Sequence, residues 1–491
     1  MTESRRTPRL SRPVLAGTRY AAAMPLRMKH AAPGIATAAL AIGIWVMPPP
    51  QGLTIEAWRL FAIFAAAIFS VVSNALPILS ASLVAVAAAV LGGVVPPEKA
   101  YAGFSNGTIL LIVLAFLIAR AVVKCGLGAR LGHGLVAIFG RSTLGLSYSI
   151  FLVDAVIAPA FPSNTARSGV LYPLAVSLVD AAGAKPGDPS RRRLGSFLMF
   201  SGIASLGLSS ALWLTAMAGN PLGSAIARNA GVEIGFGSWL IASSLPTLAA
   251  MALTPLALYK LIKPEVTSTP EAPAAARQAL RALGPLTRHE RVVALTSVVM
   301  VVLWALAATL DLDSTAVAFL GLGVLLISGA LTLGDIAKEG EVLGIFIWFA
   351  VLFALSSQLN ELGFMEFVGH RLATRLGGLG GFAAGSALVL AYVALHYLFV
   401  SQTAHVLALF GVFLDVGVRL GVPAAPLAFQ LLFASNYFST LAPQASSANL
   451  LFAGSGYLSQ GELYRLGAIT TAMLAALYLL IGTPWLMLVT R

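Results

Sequence analysis

Apolar runs near the length of about 20 residues that crosses a bilayer as a helix follow one another along this chain. They lie at roughly 33–49, 57–75, 77–96, 108–124, 195–229, 237–262, 292–310, 315–333, 343–360, 425–455 and 465–489. Prolines mark several ends, among them Pro48-Pro49-Pro50, Pro96-Pro97, Pro264, Pro270 and Pro273. Two regions, 143–182 and 380–418, have another pattern: an apolar arm, a polar tip and a second apolar arm. Such arms predict re-entrant hairpins, whose irregular backbone is tolerated only under protein or water. The expected fold is an all-α polytopic membrane protein with about 11 transmembrane helices and two hairpins.

The tips echo each other. Ser163-Asn164-Thr165-Ala166-Arg167 returns as Ser401-Gln402-Thr403-Ala404-His405, 238 positions later. Gly126 and Gly363, His133 and His370, and Gly140 and Gly377 are each 237 apart. A nearly constant offset points to an internal repeat. Each copy holds five spans and a hairpin, and the copies start on opposite sides, so they are inverted. Inverted repeats with a midplane site are a common transporter architecture.

Composition agrees with a membrane protein. Of 491 residues, 58% are hydrophobic and 10% charged, against about 25% charged in soluble domains. The net charge of +12 gathers in loops, not on one domain, which excludes a nucleic-acid patch and speaks for orientation in a bilayer. Residues 1–32 read as a basic cytoplasmic tail, with Arg5, Arg6, Arg9, Arg12, Arg19, Arg27 and Lys29 against Glu3; a transit peptide is the alternative. The first span and its loop occupy 33–56, the first repeat 57–262, a basic cytoplasmic linker 263–290 and the second repeat 291–491. Lys124, Arg130, Arg141, Lys185 and Arg191 to Arg193 fall on the cytoplasmic side, Asp311 and Asp313 opposite. The expected location is the cell's inner membrane. One cysteine, Cys125, and six histidines without helical metal spacing predict neither metal nor cofactor. No nucleophile–base pair at recognisable spacing argues for an enzyme.

The chemistry concentrates at the tips. Unpaired polar groups in hydrocarbon cost several kcal/mol, so two such words imply a purpose. Ser163, Asn164 and Thr165, like Ser401, Gln402 and Thr403, offer hydroxyls and amides, and each second arm starts there, bringing a helix N-terminus that favours anions. The plainer reading is an N-cap for a buried helix. Arg167 and His405 hold equivalent places and suit a bound carboxylate. The alternatives are that Arg167 pairs with Asp154 or Asp180, and that His405 is a neutral packed histidine. Two further breaks, Thr215 to Pro221 with Gly219 and Asn220, and Ala442 to Asn449 with Pro443, Ser446 and Ser447, read as unwound helices lining the same site; a proline kink is the simpler account. Asp335, Lys338, Glu339 and Glu341 read as a solvated loop.

The words at 162–167, 401–405, Phe452 to Tyr457 and Gly103 to Thr108 resemble the divalent-anion:sodium symporter superfamily, and within it the bacterial citrate/succinate and tartrate/succinate antiporters and the plastid 2-oxoglutarate/malate translocators. The resemblance covers about residues 50–491. It implies that the tips bind substrate carboxylates, that protomers form a homodimer, and that a transport domain moves as an elevator against a scaffold. Sodium-coupled members carry Ser-Asn-Thr in both tips. Gln402 in the second tip, and a cationic residue after each, point away from sodium and towards obligatory exchange of di- or tricarboxylates. A sodium- or proton-coupled symporter of the same fold is the alternative.

Overall fold

The computed structural model describes residues 31–376 and 381–490. The basic tail expected over 1–32 lies almost wholly outside them, as do Gly377 of the repeat and the first residue of the second hairpin. Helices are the only extended regular structure among the described residues; the one other pairing is an isolated bridge between Ser142 and Ser268.

Eight helices among them are long and apolar enough to cross a membrane: Ile55–Val72, Gly107–Cys125, Thr143–Ala160, Gly195–Leu212, Phe236–Ile262, Gly340–Glu361, Gly381–Leu398 and Gln460–Val489. Shorter apolar helices include Ala32–Val46, Ile78–Leu91 and Ser314–Ile327. The runs expected over 195–229 and 425–455 are broken. The first stops as a helix at Leu212 and resumes over Gly219–Ala227. The second runs over Ala424–Tyr437 and resumes over Asn449–Ala453. Each first hairpin arm, counted with its turn, reaches 18 residues. Length alone therefore does not separate an arm from a span.

The repeat is visible in backbone geometry. Gly126 and Gly363 both take the left-handed conformation, φ +77° and +79°, which glycine adopts without penalty. Each opens a helix that no apolar run announced, Leu127–Phe139 and Phe364–Leu376. At 13 residues each, they are too short for a span. A third unannounced helix, Ala272–Ala282, lies in the linker and packs on Leu127–Phe139.

Buried apolar side chains form two cores. The smaller is built mainly from Ile55–Val72, Ile78–Leu91 and Gly340–Glu361, joined by Ile109 and Ile112. The larger holds the first hairpin, most of the second and the broken helices. Gly195–Leu212 lies at its centre, with every residue buried. A cavity of about 160 Å³ lined by Asn229, Ser357, Asn360 and Asp415 opens where the two cores meet.

The acidic stretch after Thr332 is not free loop. Asp335 accepts from Lys124 Nζ at 2.6 Å, and Arg120 pairs with Glu339 at 2.8 Å. The Lys124 contact and the Thr332 hydrogen bonds hold the Asp335 carboxyl well below its usual range. A depressed carboxyl contributes its stability above the unfolded value and loses it as the pH falls through the folded one. Lys124→Ala should therefore remove an acid-sensitive step from the unfolding profile while leaving the neutral fold intact, read by thermal melts across pH.

Candidate functional site

Both tips are built alike. A 3₁₀ turn, Ala158–Ala160 or His396–Leu398, ends the first arm, and an extended residue, Phe161 or Phe399, follows. Ser163 and Ser401 then cap the second arm, accepting the N–H of Ala166 at 3.2 Å and of Ala404 at 3.3 Å. The N-cap reading of the two serines thus holds, and it points both helix N-termini at one place. The tips touch: Asn164 Nδ2 donates to Gln402 Oε1 at 2.9 Å.

The breaks sit against the tips. Thr165 Oγ1 lies 2.7 Å from Ser447 Oγ, and both residues are exposed. Ser163, Ser401 and Pro443 are partly open. Together they form a polar mouth where the first tip meets the second break. Thr403 is buried, with Met217 Sδ 4.0 Å from its hydroxyl, and Ser446 is 4% exposed.

Other expected ligands turn out to hold the frame. Asn220 is fully buried; its Nδ2 donates to Ser210 O and Trp213 O, and its Oδ1 accepts from Asn436. Asn449 Nδ2 donates to Ser439 O and Ala442 O. Thr215 donates to Pro159 O, tying the first break to the first tip. Gly219 starts the resumed helix. Gln402 Nε2 donates to Ser435 O at 2.8 Å. These contacts satisfy the backbone groups that the breaks and turns leave open, as burial requires.

Arg167 is a correction. It is 0% exposed and paired at 2.9 Å with Asp154, which is also 0% exposed. Its second terminal nitrogen donates to Asn164 Oδ1 at 2.6 Å and to Leu206 O at 3.2 Å, and it contacts Ser209 and Ser210. Asp154 pairs with the guanidinium, which braces the tip through Asn164. His405 is a correction of the same kind. It is 0% exposed and boxed by Tyr392, Phe399 and Phe438. Its Nδ1 is 3.4 Å from His396 Nδ1. His396 Nε2 donates to Ala445 O at 2.8 Å, so in the neutral pair His396 Nδ1 accepts from His405. The sequence reading offered Asp154 as a partner of Arg167 and named none for His405. Asp154 and Tyr392 are 238 apart, as are Arg167 and His405. That doubled offset was the signal: an ion pair stands in one copy where an aromatic pair stands in the other.

The family model described as the sodium:sulfate symporter transmembrane region matches residues 28–491. A putative malate transporter, YflS, of Bacillus subtilis is 39% identical over 455 residues, covering 92% of this chain and 95% of that protein. Dicarboxylate transporter 2, chloroplastic, of spinach is 39% identical over 446 residues, 90% of this chain and 79% of that protein. The citrate/succinate antiporter of Escherichia coli K12 is 30% identical over 462 residues, 90% and 95% respectively. Among solved structures, the YdaH transporter of Alcanivorax borkumensis superposes with a TM-score of 0.56 at 16% identity, covering 79% of this chain and 87% of that one. MtrF of Neisseria gonorrhoeae does so with 0.54 at 14% identity, covering 94% of both; these two likenesses concern the fold. With a matched family model over nearly its whole length and relatives that are transporters, not enzymes, this multi-pass membrane chain belongs to the sodium:sulfate symporter family, the superfamily that its tip motifs resemble.

Proposed function

We propose that the protein carries di- or tricarboxylates, of the succinate, malate, 2-oxoglutarate, citrate or tartrate class, across the cell's inner membrane by sodium-independent exchange. The observation that carries this reading is the polar mouth. Thr165 and Ser447 present hydroxyls at an open face, flanked by Ser163, Ser401 and the positive ends of two converging helices. Carboxylates are satisfied by such donors without a countercharge. The names of the malate, dicarboxylate and citrate/succinate relatives point the same way.

Sodium independence is supported by Asn164. Its side-chain oxygen, a natural cation ligand, already accepts from Arg167 and Ser210. Because Asp154 cancels the arginine, exchange does not rest on an unpaired charge in the empty carrier. It rests on the mouth: empty, its donors must shed water to cross a low-dielectric barrier; loaded, the substrate satisfies them. The two cores support an elevator in which the larger body, with the tips, slides on the smaller. A homodimer with a cytoplasmic N-terminus completes the reading.

Counterflow in proteoliposomes tests it. Uptake of labelled succinate or malate should require an internal carboxylate and ignore sodium. Uptake into empty vesicles that follows an imposed sodium or proton gradient would replace exchange by symport. Thr165→Ala should weaken substrate binding roughly ten- to hundredfold, the value of one charge-assisted hydrogen bond at about 1.5–3 kcal/mol, without shifting the melting temperature. Unchanged substrate affinity in that variant would remove Thr165 from the mouth.

A further inference from the structure

The two helix breaks are equivalent bond for bond. Asn220 donates to the carbonyls ten and seven residues before it, at 2.9 and 3.3 Å. Asn449 does the same at 2.7 and 3.2 Å. A 3₁₀ turn precedes each, Leu214–Ala216 and Pro443–Ala445. The residue after the turn has the same conformation in both: Met217 at φ −143°, ψ 130°, and Ser446 at φ −146°, ψ 139°. Met217 is thus the counterpart of Ser446, and Gly219 of Ala448.

The chemistry of the two halves nevertheless differs. Opposite the first tip stands the hydroxyl of Ser447, 2.7 Å from Thr165 Oγ1, with Ser446 next to it in the chain. Opposite the second tip stands a thioether. Met217 is 4% exposed and its sulfur lies 4.0 Å from Thr403 Oγ1. The side chain folds back over the start of the helix Gly219–Ala227, where the Gly219 N–H points at Sδ from 2.9 Å. Glycine makes that fold possible, since a Cβ at 219 would come within 2.7 Å of the sulfur. The methionine therefore covers a backbone donor and lies against a threonine hydroxyl. Thioether sulfur is a weak acceptor on a flexible, volume-filling chain.

We propose that Met217 is a specificity-determining residue: a plug that closes the half-site under the second tip, so that one polar mouth remains and compact dicarboxylates are taken in preference to tricarboxylates. The inference rests on the carboxylate reading given above and narrows it. A third carboxylate placed beside Met217 would be desolvated against carbon and sulfur with its donors hidden, which a site rejects strongly. A dicarboxylate asks nothing of that half.

The test measures exchange of labelled succinate and labelled citrate by the purified wild type and by Met217→Ser and Met217→Leu. The wild type should favour succinate at least tenfold in kcat/KM. Met217→Ser, which restores the hydroxyl found in the other half, should raise the citrate-to-succinate ratio about tenfold or more while succinate exchange persists. Met217→Leu keeps the bulk and should keep the wild-type ratio. A wild type that takes citrate as readily as succinate overturns the plug, and so does a folded Met217→Ser with an unchanged ratio. The wild-type comparison decides the matter even if Met217→Ser does not fold. Failure of the wild type to move any carboxylate is a different result, and it defeats the underlying reading instead.

Discussion

Asp154→Ala should destabilise the protein by about 3–5 kcal/mol, the usual consequence of stripping one partner from a buried ion pair. Arg167 would keep its charge at 0% exposure, with only neutral partners left: serine hydroxyls, Asn164 Oδ1 and the Leu206 carbonyl. Arg167→Met should do comparable harm by stranding the carboxylate. The double variant Asp154→Leu/Arg167→Met should recover most of the loss, because removing both charges removes the desolvation cost as well. Thermal unfolding of the four proteins in one detergent measures this. Single variants that melt like the wild type would show that the pair is not closed from water. Transport by the double variant carries separate information. The arginine also steadies Asn164 Oδ1 at 2.6 Å, so a stable double variant should exchange substrate poorly, its first tip no longer braced.

The second large effect is expected at Gly467, far from the tips in sequence. A Cβ there would stand 2.3 Å from Thr440 O and 2.7 Å from Leu441 O. Both are backbone atoms, which no rotamer change can move aside. Gly467→Ala should therefore cost about 1–3 kcal/mol, the range of overpacked sites. Its cost in transport should be greater. Thr440 and Leu441 lead directly into the second break, so displacing them shifts Ser447 and its contact with Thr165. A reduced kcat/KM with modest loss of melting temperature is the expected pattern. A variant that loses stability and transport in the same proportion would mean that the break does not transmit the displacement.

Much of the fold was legible because polar words are conspicuous in apolar sequence. The two tips, the two breaks and the repeat could all be read that way, and a repeated word constrains the whole topology. The amphipathic helices Leu127–Phe139 and Phe364–Leu376 were not legible, because a helix lying among polar neighbours needs no span-length run. At the site, residue type was easier to read than direction. Asn164, Gln402, Asn220 and Asn449 look like ligands in a list of polar groups, yet their amides are taken up by backbone and by one another. Arg167 could be read either as an anion's countercharge or as the partner of Asp154, thirteen residues earlier across the hairpin bend, and only the folded geometry chooses between them.

The helix Gly195–Leu212 has its own implication for how the chain reaches its final form. Ser201, Ser205, Ser209 and Ser210 are all fully enclosed by neighbouring helices. Entering lipid alone, that segment would leave its hydroxyls to find partners within its own turn. In the finished molecule Ser147 meets Ser201, Asp154 meets Ser209, and Asn164 meets Ser210, all three supplied by the hairpin made just before it. The serine-bearing segment is thus expected to settle in the bilayer only with the hairpin already there to receive its hydroxyls.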